Sequence, residues 1–370
     1  MPTLYLHIGT PKTGTTALQN FLSENNAVLE KYHIHYPDFG FKYEGIGYHR
    51  NGHFLAAPFI TEQGEKDFLR PSNEYEAGLE KLRELKKSYD KIILSDENMW
   101  RNIWSRKDYW RRVKNDFNQL GFDIKIIVYL RRQDQFLESY WAQQVKEYAT
   151  CTLEEFMESS LFSSCPLDYY TYLNYLSDIF GKDNLIPRVY ENAQYLGDGG
   201  TIHSDFLNIF GISDMQDFFF GQTFYNPSLS GNYLEIKRIL NYIGEFRSAS
   251  HPISGYLKKA QKKNIFNHNF KEYSYLTPRQ RRDFLAAFSE SNQKVARRYL
   301  GRNDGILFYD EIKDAPKYTV SESELLPDIL LVFGQAMNDL MKENKTMKKQ
   351  LNELQKYSIF YRLKQKVRRR

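Results

Sequence analysis

Short apolar runs, each bounded by glycine, proline or charge, recur along the chain. Leu4-Tyr5-Leu6-His7-Ile8 is the first, Ile92-Ile93-Leu94 within 91–95 the next, and Ile124-Lys125-Ile126-Ile127-Val128-Tyr129-Leu130 the strongest. Runs of this length predict buried strands. Residues 34–36, stopped by Pro37, and 185–190 predict two more. Between them the apolar positions change to helical spacing. Ala17, Leu18, Phe21, Leu22, Val28 and Leu29 predict a first helix over 15–31, and 74–89, 107–120 and 133–148 predict three others. Residues 150–184 read as mixed helix and loop. Helices are expected at 204–210, at 234–246 (preceded by Asn226-Pro227-Ser228) and at 278–300. Residues 39–70, rich in glycine, histidine and aromatics, predict a long irregular segment, and loops of that length in a compact domain are commonly functional.

Strands alternating with helices imply an α/β fold, a parallel sheet flanked by helices. Ligands then lie beyond the carboxyl ends of the strands. The loops 9–16, 95–98 and 131–139 should therefore meet.

Toward the end of the chain the pattern changes again. Pro327 is placed in the first turn of a long helix. From Met337 the apolar positions Leu340, Met347, Leu351 and Leu354 are spaced by threes and fours, with polar Asn344 in the gap. That heptad seam predicts a homodimeric coil or an amphipathic helix packed on the body. The expected organisation is an α/β domain over 1–318, a C-terminal helix over 319–355 and a basic aromatic tail over 356–370.

The tail alters how the net charge reads. The chain carries +5, but residues 356–370 hold seven Lys and Arg and no acid, so the remainder stands at −2. A nucleic-acid-binding body is not indicated. Aromatics beside those cations predict peripheral contact with an anionic membrane, or else a solvated end. Two cysteines make no disulfide framework. With no signal-peptide pattern and no apolar run of membrane-spanning length, the expectation is a cytoplasmic protein, at most peripheral at the inner membrane. Twenty-eight Tyr and 26 Phe would suit a carbohydrate-binding cleft.

The first strand leads into Gly9-Thr10-Pro11-Lys12-Thr13-Gly14-Thr15-Thr16. A strand, a glycine-bearing loop and a helix N-terminus form an anion site, because backbone N–H groups and the helix dipole point at the ligand. Lys12 adds a positive charge, and Thr13, Thr15 and Thr16 add hydroxyl donors. A nucleotide-triphosphate loop places Lys directly after the second glycine. Here Thr15 stands there and the lysine has moved to position 12.

At these residues the chain resembles the sulfotransferase superfamily, whose phosphosulfate loop has the pattern P-K-T/S-G-T/S-T; Pro11 to Thr16 reads P-K-T-G-T-T. The resemblance implies a bacterial-type enzyme using 3′-phosphoadenosine 5′-phosphosulfate (PAPS), with Pro11, Lys12, Thr13, Gly14, Thr15 and Thr16 at the cofactor and no metal required. Arg131 and Ser139 are similar to the family's R-x7-S pair for the 3′-phosphate. An Arg supplies a planar fork of donors and a Ser a neutral one. The competing reading of Arg131 is an ion pair with Asp134 or Glu138. Tyr190, in Arg188-Val189-Tyr190-Glu191, resembles the tyrosine beside the adenine. Lys258, Lys259 and Arg302 are candidates for a later basic loop.

Sulfuryl transfer to a hydroxyl needs a base, since the hydroxyl pKa lies far above 7. Lys12 offsets charge on the leaving phosphate. Glu97, past the second buried strand, and His53, in His49-Arg50-Asn51-Gly52-His53, are the candidates, without roles assigned between them. His7, inside the first strand, reads as a core residue. The expected acceptor is a carbohydrate hydroxyl, on a cell-surface glycan precursor. Two other readings stay open. Ile92 to Glu97 also resembles the metal-binding strand of a P-loop kinase or NTPase, and a non-catalytic nucleotide-binding scaffold would use the same loop.

Overall fold

The computed structural model describes residues 1–67, 70–102, 107–221, 229–264 and 273–368, with side chains left out at 101, 102, 107 and 358–368. Seven strands run in chain order: β1 (Thr3–His7), β2 (Ile34–His35), β3 (Phe59–Ile60), β4 (Lys66–Asp67), β5 (Lys91–Ser95), β6 (Asp123–Leu130) and β7 (Leu185–Val189). Five of them form one parallel sheet in the order β2-β5-β1-β6-β7. β3 and β4 make a separate antiparallel hairpin inside the long segment. The register pairs His7 with Ser95 on one side and with Ile127 on the other, and Leu130 with Val189. Helices cover the sheet, so its central strands are continuously apolar, as parallel strands buried on both faces must be. Leu4, Leu6, Ile92, Leu94, Ile126 and Val128 are fully buried.

This order makes β1 the pivot. The chain passes from β1 to the edge at β2, returns to β5, then crosses β1 to reach β6 and β7. A topological switch point therefore lies at the carboxyl end of β1, the crevice where open α/β sheets bind ligands.

The chain divides into two compact units. The first, Met1–Trp141, Leu153–Asn226 and Leu276–Asp314, contains the whole sheet. The second comprises Ala142–Thr152, Pro227–Tyr275 and Ala315–Arg370. In it the helices Gly231–Leu240 and Pro252–Lys263 pack with the start of the long helix Glu322–Arg368. The expected boundary at 318 falls inside the segment Ala315–Arg370 of the second unit, and the helices Gly231–Leu240 and Pro252–Lys263, within the expected body, pack with the long helix.

Several helices differ from the expected ones. The helix predicted over 15–31 is interrupted, as Thr15–Glu24 and Asn26–Glu30. Asn25 breaks it: its amide donates to the carbonyls of Phe21 (2.9 Å) and Phe219 (2.8 Å) and accepts from the Phe219 N–H. A side chain bonded to backbone competes with helix continuation. The helix expected over 278–300 is two, Pro278–Ala286 and Ser289–Leu300. Pro327 lies inside the long helix rather than in its first turn, and that helix runs through the expected boundary at 355. The Asn226-Pro227-Ser228 stretch and the side chains of 358–370 lie outside the described residues. Among the described residues no helix is long and apolar enough to cross a membrane.

Candidate functional site

The loop after β1 is held by β6: the Thr10 N–H donates to the Tyr129 carbonyl (3.3 Å) and the Tyr129 N–H to the Gly9 carbonyl (3.1 Å). The chain then turns sharply. Gly9, Lys12 and Gly14 all take left-handed conformations, with φ of 89°, 69° and 71°. Glycine does this freely, whereas lysine does so at a cost of roughly 1–2 kcal/mol. Arg131 holds the strained Lys12 peptide, its Nη1 donating to the Lys12 carbonyl. Thr13, fully buried, closes the turn by donating to the Thr10 carbonyl at 2.6 Å. Gly14 caps the helix Thr15–Glu24 with no side-chain acceptor, so the first-turn N–H groups face the loop. Pro11 and Thr15 are buried, Lys12 is half-buried and Thr16 is exposed.

On the β5 side of this loop stands a charged cluster. Glu97 touches both ends of the turn. Its Oε2 accepts from Thr15 Oγ1 at 2.7 Å, and a Cβ placed on Gly9 would lie 3.0 Å from the Glu97 Cβ. Arg50 links Glu97 to Asp96. Its Nε and Nη2 donate to the two Asp96 oxygens at 2.9 Å each, and Nη1 stands 3.7 Å from Glu97 Oε1. His53 Nδ1 lies 2.9 Å from Asp96 Oδ2. Burial pushes the Asp96 carboxyl up, but Arg50 and His53 outweigh it and hold the pKa at about 2. A carboxylate can only accept there, so Nδ1 holds a proton, and in the neutral form of the imidazole Nε2 carries the lone pair.

Residues 50–53 reach β5 because Asn51 pins them. Its amide donates to the carbonyls of Pro37 (3.1 Å) and Ile93 (2.9 Å) and accepts from the Ser95 N–H (2.8 Å). Beside them Phe39, Phe41, Tyr43, Tyr48, Arg50 and Asn51 line a small cavity.

On the β6–β7 side stands Arg131. Asp134 and Glu138 do not pair with it. Asp134 accepts from Arg132 and Arg281, and Glu138 from Arg281. Among the described residues no carboxylate forms an ion pair with Arg131, and its buried Nε has no partner. Burial lowers its pKa, against the opposing influence of Tyr190, Tyr169 and, without direct contact, Asp134 and Glu138. Its guanidinium lies 5.6 Å from the Tyr190 ring centroid, and the Tyr190 N–H continues the β6–β7 ladder by donating to the Leu130 carbonyl at 2.8 Å. Tyr190 also approaches Gly14, its hydroxyl standing 3.6 Å from where a Cβ would be. Ser139 is half-buried in the helix Gln133–Glu147, about two turns beyond Arg131.

The structure thus gathers Lys12, Thr13, Gly14, Thr15, Glu97, His53, Arg131 and Tyr190 at the carboxyl end of the sheet. Arg50 and Asp96 complete the cluster. Sequence reasoning gave Arg50 no role, although its place between His49 and His53 was a signal. Arg302 is turned to the carbonyls of Ile306 and Leu307, at 3.0 Å each, and Lys259 pairs with Asp339 in the second unit. His7 is a core residue: burial, opposed by Asp96, lowers it to about 4.

Lys12, Arg131 and the loop N–H groups suit an anionic ligand. Two buried polar atoms without a partner among the described residues, Arg131 Nε and Thr10 Oγ1, belong to the loop and to the arginine that holds it. Uncompensated buried donors of this kind call for an acceptor. Among the described residues no group of three or more His, Cys, Asp and Glu is arranged to hold a metal ion.

No family model matches the chain. Over 230 residues it is 28% identical to an uncharacterized protein of Archaeoglobus fulgidus, a match that covers 61% of this chain and 60% of that protein. A sulfotransferase structure from Alicyclobacillus acidocaldarius is similar over 67% of this chain and 96% of its own, at 14% identity and a TM-score of 0.37.

Proposed function

We propose that the protein is a sulfotransferase that moves the sulfuryl group of PAPS to an acceptor hydroxyl, with a carbohydrate as the acceptor class. The observation that carries this reading is Arg131: a half-buried arginine with no ion-paired carboxylate among the described residues, its buried Nε unmatched, bonded to the backbone of a glycine-bearing anion loop. A buried donor left unmatched is costly, and an anion that accepts from it removes the cost.

In this reading Lys12, the N–H groups of the loop and the exposed Thr16 hydroxyl hold the 5′-phosphosulfate, while the Thr13 and Thr15 hydroxyls, donating to the Thr10 carbonyl and to Glu97, fix the shape of the loop. Arg131 and Ser139 take the 3′-phosphate, and Tyr190 lies against the adenine. Bound PAPS supplies an activated sulfuryl group on a phosphate leaving group. The chain's own part is to remove the acceptor's proton. His53 is the better placed base, since Asp96 fixes its tautomer and leaves Nε2 to accept. Glu97, engaged by Thr15 and flanked by Arg50, orients the hydroxyl. A kinase or NTPase would need Asp96 for Mg²⁺, but Asp96 already accepts from Arg50, His53 and the Asn98 N–H.

Calorimetric titration with 3′-phosphoadenosine 5′-phosphate, and separately with ATP and Mg²⁺, tests the reading. The bisphosphate should bind without metal, and Arg131→Ala should weaken it about 30-fold or more, as loss of a charge-assisted contact implies. Preference for ATP with Mg²⁺, indifferent to Arg131→Ala, would overturn it.

A further inference from the structure

We infer that the helix Glu322–Arg368 joins two copies of the chain as a parallel coiled coil. This inference does not depend on the reaction. The helix has two apolar faces. One, carrying Leu325, Asp328, Val332 and Ala336, is buried in its own unit, where Asn232 donates to Asp328 and Lys259 pairs with Asp339 at 2.7 Å. The other carries Leu326, Leu330, Phe333, Met337 and Leu340, which remain 41–66% exposed. At 100° per residue the two sets point roughly 115° apart. Among the described residues nothing covers the second face, and an exposed apolar stripe of this length marks an association surface.

The spacing names the occupant. From Leu326 the exposed positions advance by four, three, four and three, and the same rhythm continues through Asn344 to Met347, Leu351 and Leu354. That is the a/d seam of a coiled coil, with Leu326, Phe333, Leu340, Met347 and Leu354 at d. Asn344 falls at an a position, where two asparagines facing each other fix register and favour two strands. Glu343 then falls at g and Lys348 at the following e. In a parallel pair g of one helix lies beside the next e of its partner, so Glu343 meets Lys348 twice by symmetry. A second copy therefore supplies both the apolar cover and the complementary charge.

Sedimentation of the full chain across the micromolar range tests this. A reversible monomer–dimer equilibrium is expected, and Leu351→Asp should leave only monomer. That side chain is already exposed, so the variant folds, and an unchanged thermal unfolding curve for the body verifies it. Glu343→Lys and Lys348→Glu should each raise the dimer dissociation constant about tenfold, since two pairs become like-charge contacts. The double swap should return it to within about twofold of wild type. A monomer at all concentrations, a dimer indifferent to Leu351→Asp, or single swaps without rescue would each overturn the inference. So would a monomer that uses this face to bind phosphatidylserine vesicles.

Discussion

Two buried side chains next to the sheet end tie stability to pH. Gln19 donates to Ser95 Oγ at 3.1 Å, which frees the Ser95 proton for His7 Nδ1 at 2.8 Å and leaves the imidazole neutral. Burial, only partly opposed by Asp96, lowers its pKa from 6.5 to about 4. Between those values the unfolded chain binds a proton that the folded chain refuses. Stability due to His7 is thus intact above pH 6.5 and lost as pH falls toward 4, by about 3 kcal/mol. Asp96 acts lower: burial alone would raise it, Arg50 and His53 prevail, and it is held at about 2 against 3.8. Its contribution is present above 3.8 and lost as pH falls toward 2, by about 2 kcal/mol. Burial lowers His35, His49 and His203 as well, so the wild-type slope between pH 7 and 4 has several sources. The sharp expectation is therefore a difference. Denaturant unfolding of His7→Gln should lose about 3 kcal/mol less than wild type between pH 7 and 4, and equal losses would show that His7 titrates normally.

At the scale of the element, the loop between β1 and the helix Thr15–Glu24 depends on contact as well as conformation. A Cβ on Gly9 would meet the Cβ of Glu97 at 3.0 Å and its Cα at 3.1 Å, at a φ of 89°. Gly64, at a φ of 80°, has open space around it. Gly64→Ala should cost roughly 1–2 kcal/mol, the backbone term alone. Gly9→Ala should cost more and should also displace Glu97 from Thr15 and shift the loop that offers its N–H groups to the bisphosphate, weakening binding about tenfold, an amount comparable to one lost loop N–H bond to a charged group. If the two variants lose equal stability and both bind as wild type, the Glu97 contact is not needed. The strands of this element and its neighbours were legible in the sequence because each is a local apolar run. Arg131, too, could be placed from the end of the strongest run. What was not legible lies far apart in the chain. The Arg50–Asp96–His53 cluster joins two segments through Asn51, and no local spacing records it. The break at Asn25 has its cause at Phe219. The order of strands around β1 is a matter of crossovers, which apolar runs do not encode.

For the whole molecule, the division into units separates duties that the sequence runs together. Every residue assigned to the site, from Lys12 to Tyr190, belongs to the first unit. The second unit consists largely of helices, among them the long one whose exposed seam we assign to a second copy. Its insertion was invisible beforehand, because residues 227–275 have the same apolar spacing as any helical stretch and only their partner, the helix Glu322–Arg368, sets them apart. Ligand binding should therefore leave an uneven mark. Amide hydrogen exchange reports local opening, and a ligand slows exchange where it removes that opening. With saturating 3′-phosphoadenosine 5′-phosphate, exchange should slow in 9–16, 95–98 and 131–135, the segments whose N–H groups and side chains converge at the switch point. The helices Gly231–Leu240 and Pro252–Lys263 and the seam of Glu322–Arg368 should exchange as before, and in Arg131→Ala the slowing should fade in all three site segments together. Protection confined to the second unit would place the ligand elsewhere. Protection of 9–16 that survives Arg131→Ala at unchanged affinity would leave the anion loop in place but remove the arginine from the site.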